Sequence, residues 1–247
     1  MKYRLSVVAA GLCLALHAGA VGAAADSLVS FTSRGAFAWN DSLDWGPLGF
    51  CNLGVNEPFE AQSAQGVNVT GSLSGGNAGA VVQSQCWGGN FLPDENLLWT
   101  QRAEADAPGY GPITLLFDRP IYGFGTQFQS ESFGTFTARI DVFNGDTFLQ
   151  SFTNTNGLSN DFGDGSAIFL GVIDLDGPNI TRAILSVLDT PSGTDNNFAI
   201  NQLSLETPPP VPVPEPTSLV LLGTGGVMLA LRARRIVRRI KSPLRET

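Results

Sequence analysis

Aspartate-rich loops in the second half of the chain contain residue types that bind Ca²⁺. Their carboxylate and amide oxygens are the ligands that this cation prefers. None of the loops matches an EF-hand or a glycine-rich Ca²⁺-binding repeat, and Asp, Asn and Gly are also ordinary turn formers. A Ca²⁺ site and a set of plain turns therefore both remain open, with Asp161, Asp164 and Asp195 as the candidate ligands. The loops read SNDFGDG (159–165), IDLDGPN (173–179) and GTDNN (193–197).

The composition excludes several kinds of catalysis. The only histidine is His17, and no lysine lies between Lys2 and Lys241. A domain without these residues cannot build a Ser-His-Asp or Cys-His nucleophile system, a Schiff base or a histidine-ligated zinc site. Some pair among the 22 acidic residues will fall at glycosidase spacing by chance, and the sequence selects none. We therefore predict a non-enzymatic protein and assign no catalytic residue.

The tryptophans have two interpretations. Aromatic faces can stack on sugar rings, but large aromatic side chains also dominate ordinary hydrophobic cores. A sugar-stacking platform and a set of core or loop residues therefore both remain open. The four residues concerned are Trp39, Trp45, Trp87 and Trp99.

Charge is distributed very unevenly along the chain. Residues 26–216 contain 21 acidic residues and five bases, all arginine, whereas residues 217–247 contain seven bases and one acid. A domain this acidic repels phosphate backbones. We therefore exclude nucleic acid as a partner and interpret the negative charge as favouring solubility.

Residues 1–25 have the organisation of a secretory signal. A basic start is followed by an apolar core at residues 5–16, and alanines at 23–25 provide the small residues of a cleavage site. The short apolar segment and the alanines at the cleavage site favour a cleaved signal peptide over a permanent membrane helix. We predict cleavage after Ala25 and export through the inner membrane.

One pair of cysteines remains after removal of this signal. Cys13 lies within it, which leaves Cys51 and Cys86 in the exported domain. Two cysteines in an exported chain most simply form one disulfide, and two free thiols are the alternative.

Residues 26–206 show strand patterns and almost no helical period. The segment TFTARIDVF (135–143) alternates strictly between apolar and polar residues, and Asn144-Gly145 then predicts a hairpin to the strand that follows. Many short strands in one exported domain predict an all-β fold, an antiparallel two-sheet sandwich resembling a jelly roll. Further strands are predicted at 113–117, 165–173, 182–188 and 198–205.

The last part of the chain predicts a membrane-associated tail. Residues 207–216 form a proline-rich linker that favours an extended polyproline II conformation. Residues 217–231 contain no charge and predict a single transmembrane helix of about 22 Å, shorter than the hydrocarbon core of about 30 Å. The basic residues of 232–247 would place the C-terminus in the cytoplasm. Those that flank the membrane helix are Arg232, Arg234 and Arg235.

This tail resembles the PEP-CTERM sorting signal. It has the same order of parts, with Val213-Pro214-Glu215-Pro216, then a short glycine-containing apolar segment, then arginines. The resemblance implies sorting by exosortase, a membrane-embedded cysteine transpeptidase-like enzyme of Gram-negative bacteria that make exopolysaccharide. It implies processing near Pro214, Glu215 and Pro216 and release to the cell surface or extracellular matrix. The basic stretch continues beyond Arg235, where many such tails stop, and a tail retained as a permanent anchor remains the alternative.

The C-terminal half of the ectodomain is similar to β-sandwich domains that often precede such tails. The shared features are a glycine-rich strand, a strand of the type FLGV and a final strand of the type D-N-F-x-I-D, which reads DNNFAIN at residues 195–201. The last segment has Asn201 at a position where an aspartate often stands.

We therefore predict an exported, non-enzymatic surface or matrix protein that exosortase processes and that can associate with exopolysaccharide. A Ca²⁺-assisted carbohydrate-binding module is the alternative, and a glycan-active enzyme is the third possibility. No other cofactor is expected.

Overall fold

The computed structural model describes residues 28–101, 109–191 and 193–209, most of which lie in β-strands. The strands of the first half are short: β1 (Leu28–Phe31), β2 (Asp41–Leu43), β3 (Asn52–Val55), β4 (Phe59–Gln62), β5 (Asn68–Leu73), β6 (Ala78–Val82) and β7 (Asn96–Trp99). The second half contains β8 (Ile113–Ile121), β9 (Gly123–Ser130), β10 (Gly134–Asn144), β11 (Thr147–Ser159), β12 (Ile168–Asp174), β13 (Ile180–Leu188), β14 (Phe198–Ile200) and β15 (Leu203–Glu206). Short 3-10 helices occupy Arg34–Ala36 and Gly46–Leu48.

Two antiparallel sheets form a sandwich, as the sequence predicts. The larger, nine-stranded sheet has the order β1-β12-β9-β14-β7-β6-β3, with β15 placed between β9 and β2. The smaller, six-stranded sheet has the order β11-β10-β13-β8-β5-β4. The predicted signal (1–25) and transmembrane helix (217–231) lie outside the described residues.

The main core fills the space between the two sheets. Its apolar side chains come from alternate positions of strands in both sheets, because successive side chains of a strand point to opposite faces. Each such residue, fully buried, contributes about 1.5–3 kcal/mol. The predicted inward face of β10 is confirmed, since its four apolar residues are at most 2% exposed: Phe136, Ala138, Ile140 and Val142.

The hairpin between β10 and β11 differs by one residue from the prediction. Its two-residue loop consists of Gly145 and Asp146, because Asn144 is still paired with Thr147 in the strand register. Gly145 has φ +56°, a conformation that such tight hairpin loops require and that glycine adopts at little cost.

A second, smaller core covers the other face of the larger sheet. Leu98 and Ile200 point into the main core, whereas their neighbours Leu97 and Ala199 pack with Trp87 on the opposite face. Strands buried on both faces have continuous apolar sequences instead of an alternating pattern. This arrangement explains why the runs in β6 (AGAVV), β7 (NLLW) and β14 (FAI) do not alternate.

The last predicted strand is interrupted. β14 ends at Ile200 and β15 begins at Leu203, and both pair with β9 on the same side. The prediction of one continuous strand over 198–205 is therefore wrong at Asn201 and Gln202. The reason is that the Asn201 side chain replaces strand pairing with bonds of its own, since its Oδ1 accepts a hydrogen bond from the backbone N–H of Gln127 at 3.0 Å.

Asn201 is fully buried and holds this break together. Its backbone carbonyl accepts hydrogen bonds from Nε1 of Trp45 at 2.8 Å and from Oγ1 of Thr126 at 2.9 Å. Its Nδ2 donates to Oε1 of Gln127 at 2.7 Å. A break in a buried strand costs little when the freed polar groups find partners in this way.

Cys51 and Cys86 form the predicted disulfide, with an S–S distance of 2.03 Å. The bond joins the start of the edge strand β3 to the loop that follows β6. The two residues are 35 positions apart, so the bond closes a long loop at the end of the larger sheet.

We predict that reducing this disulfide destabilises the exported protein by about 4 kcal/mol, because the unfolded chain regains the entropy of the closed loop. Urea unfolding with and without reductant measures the change. The double variant C51S/C86S is the control and should lose the same amount without responding to reductant. Equal unfolding midpoints for oxidised and reduced wild type would contradict the prediction.

We also predict that Asn201→Ala lowers the free energy of unfolding by about 3 kcal/mol, since it leaves several buried partners unsatisfied. Asn156→Ala is the matched control. That side chain is exposed on β11, so its removal should change the value by less than about 0.5 kcal/mol. Denaturant unfolding of both variants measures the difference, and similar losses would show that the Asn201 contacts are not stabilising.

Candidate functional site

A cleft of about 580 Å³ lies where β9 and β12 of the larger sheet meet β11 of the smaller sheet. The loop before β7 and the 3-10 helix Arg34–Ala36 complete its walls. Its volume falls within the range of about 300–1,000 Å³ that is usual for small-ligand sites. The side chains that define its chemistry are Arg34, Leu92, Glu95, Gln127, Asn154 and Asn156.

Arg34 is a half-buried cation of this cleft. Its Nη2 donates to Oδ1 of Asn201 at 2.9 Å and to the carbonyl of Gln202 at 3.1 Å. Its guanidinium carbon lies 5.7 Å from the ring centroid of Phe169, within the range of a cation–π contact. Burial lowers the pKa of Arg34, and the charge of Glu95 partly opposes this shift. The Nε atom is buried and has no hydrogen-bond partner among the residues that the structure describes.

Glu95 and Gln127 are held in fixed orientations beside Arg34. Nδ2 of Asn201 donates to Oε1 of Glu95 at 3.2 Å, and the backbone N–H of Leu92 donates to Oε2 at 3.0 Å. Nε2 of Gln127 donates to the carbonyl of Ala167 at 2.7 Å. The Asn201 side chain thus uses both amide protons and both oxygen lone pairs. An aspartate at 201 could not donate to Glu95, which accounts for the asparagine.

The opposite wall is formed by β11. Nδ2 of Asn154 donates to the carbonyl of Phe169 at 3.0 Å, and Oδ1 of Asn154 accepts from the backbone N–H of Asn156 at 3.2 Å. The side chains of Asn156 and Ser33 are exposed at the rim. Neither makes a side-chain hydrogen bond within the described part of the chain, so both are available to a ligand.

The candidate Ca²⁺ ligands occupy separate turns. Oδ1 of Asp164 accepts from the backbone N–H of Ser166 at 3.0 Å, and hydrogen bonds from Ser166 lower the pKa of Asp164. Oδ1 of Asp195 accepts from both N–H and Oγ1 of Thr190 at 3.1 Å. Asp161 is exposed. Such bonds are those of ordinary turns.

Asp174 also belongs to a turn, since its Oδ1 accepts from the backbone N–H of Asp176 at 2.9 Å. Across residues 28–101, 109–191 and 193–209, no group of three or more His, Cys, Asp or Glu side chains could hold a metal ion. The Ca²⁺ site stays a prediction to which the described geometry adds no support.

The tryptophans do not form one exposed platform. Trp45 is fully buried and Trp87 is 7% exposed. Trp99 packs edge-on against Trp87, with ring centroids 5.5 Å apart. Trp39 lies apart from these and packs against Phe169, which lines the cleft. The core interpretation therefore holds for Trp45 and Trp87, whereas Trp39 supports the floor of the cleft.

The sequence analysis did not identify the cleft residues. Arg34, Glu95 and Gln127 are far apart along the chain, and no short motif relates them. One feature of the sequence could have singled out Arg34. Basic residues are scarce, and Arg34 is one of only five between residues 26 and 216.

The predicted sorting and membrane-flanking residues lie outside the described residues. They are Pro214, Glu215, Pro216, Arg232, Arg234 and Arg235. The part of the chain that the structure describes contains no helix long and apolar enough to cross a membrane.

Comparison with known proteins identifies the tail. The family model of the PEP-CTERM protein-sorting motif matches residues 212–239. No curated protein matches the chain. The motif implies export, sorting close to a membrane and processing by exosortase. The predicted sorting signal is thus confirmed, since residues 212–239 of the chain match the PEP-CTERM protein-sorting motif.

Proposed function

We propose that the β-sandwich is the functional part of the protein, and that exosortase separates it from its tail to give a non-enzymatic cell-surface or matrix protein. The proposal rests on the position in the chain at which the sandwich ends. β15 ends at Glu206, and the chain divides into two units between Thr207 and Pro208. The fold is therefore complete before the sorting motif begins at residue 212.

Thr207, which follows the last strand, is hydrogen-bonded to Asn40, which precedes β2 near the start of the sandwich. Its backbone N–H donates to Oδ1 of Asn40 at 2.9 Å, and Nδ2 of Asn40 donates to the carbonyl of Thr207 at 2.8 Å. Thr207 is 3% exposed, so it belongs with the sandwich although the sequence analysis began the linker there. Cleavage near residues 214–216 would leave this contact and the core intact.

The chemistry of the cleft supports a non-enzymatic role. Glu95 is the one carboxylate among its lining residues, and both of its oxygens already accept hydrogen bonds. Glycoside hydrolysis uses two carboxyl groups that flank the bond to be broken. The exported domain also has no histidine and no lysine. These features favour binding over catalysis.

We predict that protein exported by a host with exosortase lacks about 30 residues at its C-terminus, because processing near the Pro-Glu-Pro motif removes residues 217–247. Intact-mass measurement of the exported protein tests this. The triple variant P214A/E215A/P216A should keep its tail, and Pro209→Ala, which precedes the motif, should be processed normally. Exported wild type that still contains residues 232–247 would show that the tail is a permanent anchor.

We predict that a chain ending at Thr207 folds as stably as the sandwich of the full chain, with unfolding free energies within about 0.5 kcal/mol, since no core residue is removed. A chain ending at Ile200, which also lacks β15, is the control and should not fold. A large loss for the longer chain would show that the tail contributes to the fold.

A further inference from the structure

We propose that the cleft around Arg34 binds a neutral saccharide, and that it does so without a metal ion. The inference rests on the cleft and not on the sorting tail. It therefore stands or falls separately from the proposed processing.

The polar groups of the cleft are held in place before any ligand arrives. Gln127 is fixed by Ala167 and Asn201, Glu95 by Leu92 and Asn201, and Asn154 by the carbonyl of Phe169. Fixed side chains lose little entropy when a ligand binds. Within the described residues, Ser33 and Asn156 make no side-chain hydrogen bond, so the hydroxyl of Ser33 and the amide of Asn156 present both donors and acceptors to a ligand. A hydroxyl group both donates and accepts, so a ligand with several hydroxyl groups fits this mixed lining.

The charge balance favours a neutral ligand. Arg34 and Glu95 are the two charged residues of the lining, and their charges offset each other. The surrounding domain is strongly acidic, with 21 acidic residues against five bases over residues 26–216. A carboxylate or phosphate would be repelled by that field and by Glu95. A neutral ligand avoids both costs.

One wall of the cleft is apolar. Leu92 is 53% exposed at the rim, so its apolar side chain is accessible to a ligand. It packs against the backbone of Gly165, where an added Cβ would lie 2.9 Å from Cδ2 of Leu92 and where φ is +75°. The positive φ favours glycine at this position, and the missing side chain leaves room for Leu92. The C–H face of a sugar ring can pack on such a surface while its hydroxyl groups reach the polar wall.

The test uses the full chain in a detergent that has no sugar headgroup. An array of neutral glucose, galactose, mannose and N-acetylglucosamine oligomers is compared with an array of uronic-acid oligomers, and calorimetry then gives the affinity of the best neutral ligand. We expect binding to neutral glycans that is unchanged by EDTA and by about 0.5 M sodium chloride, because no ion pair or metal contributes.

Variants at the rim locate the site. Asn156→Ala and Ser33→Ala should each weaken binding about fivefold to tenfold through the loss of one hydrogen bond, without a change in melting temperature. Thr155→Ala is the matched control, because this exposed residue neighbours Asn156 on β11 but is not among the described residues that line the cleft. It should bind like wild type.

Other outcomes overturn the proposal. Failure to bind any neutral glycan does so, as does selective binding of uronic acids that salt abolishes. Binding lost in EDTA would favour the Ca²⁺-assisted alternative instead. Equal affinities of Asn156→Ala, Ser33→Ala and wild type would place the ligand elsewhere on the domain. Because the assays do not depend on tail cleavage, none of these results bears on processing by exosortase.

Discussion

The interruption of the last strand at Asn201 determines how the larger sheet is built. β14 and β15 both pair with β9, so the larger sheet branches at that strand. One branch continues from β14 through β7, β6 and β3, and the other continues from β15 to β2. The break frees backbone groups in a buried region, where an unpaired polar group costs about 1–3 kcal/mol. Trp45 and Thr126 donate to the backbone carbonyl of Asn201, and Oδ1 of Asn201 accepts from the backbone N–H of Gln127. The same asparagine orients Glu95 and Gln127, so the break in the sheet and the polar cleft have one cause.

The sequence predicted the architecture of the second half far better than that of the first. β10 has 11 residues, of which residues 135–142 alternate between polar and apolar, and its buried face was correctly assigned. No strand was predicted before residue 113, although β1 to β7 all lie there. These strands have three to six residues, which is too short for a period to be measured. β6 and β7 are also buried on both faces, so their sequences contain no alternation to detect.

The disulfide and the tail could be predicted because each depends on local or compositional information. Two cysteines leave one pairing, and the sorting tail is a contiguous segment with a fixed order of parts. The cleft depends instead on residues up to 168 positions apart that only the folded chain brings together. The aspartate-rich loops were predicted as candidate Ca²⁺ sites because the residues that form turns include Asp and Asn, whose oxygens also bind Ca²⁺. Their hydrogen bonds in the structure are those of turns.

The choice of arginine at position 34 follows from the surroundings of that residue. Burial lowers the pKa of Arg34, yet a guanidinium remains protonated under such conditions, whereas the ammonium group of a lysine loses its charge more readily. A planar guanidinium can also reach Asn201, Gln202 and the ring of Phe169 from one position. The described lining of the cleft therefore keeps the permanent positive charge of Arg34 beside Glu95. Inside a strongly acidic domain, the charges of Arg34 and Glu95 offset each other within the cleft, so the cleft itself favours neither an anion nor a cation.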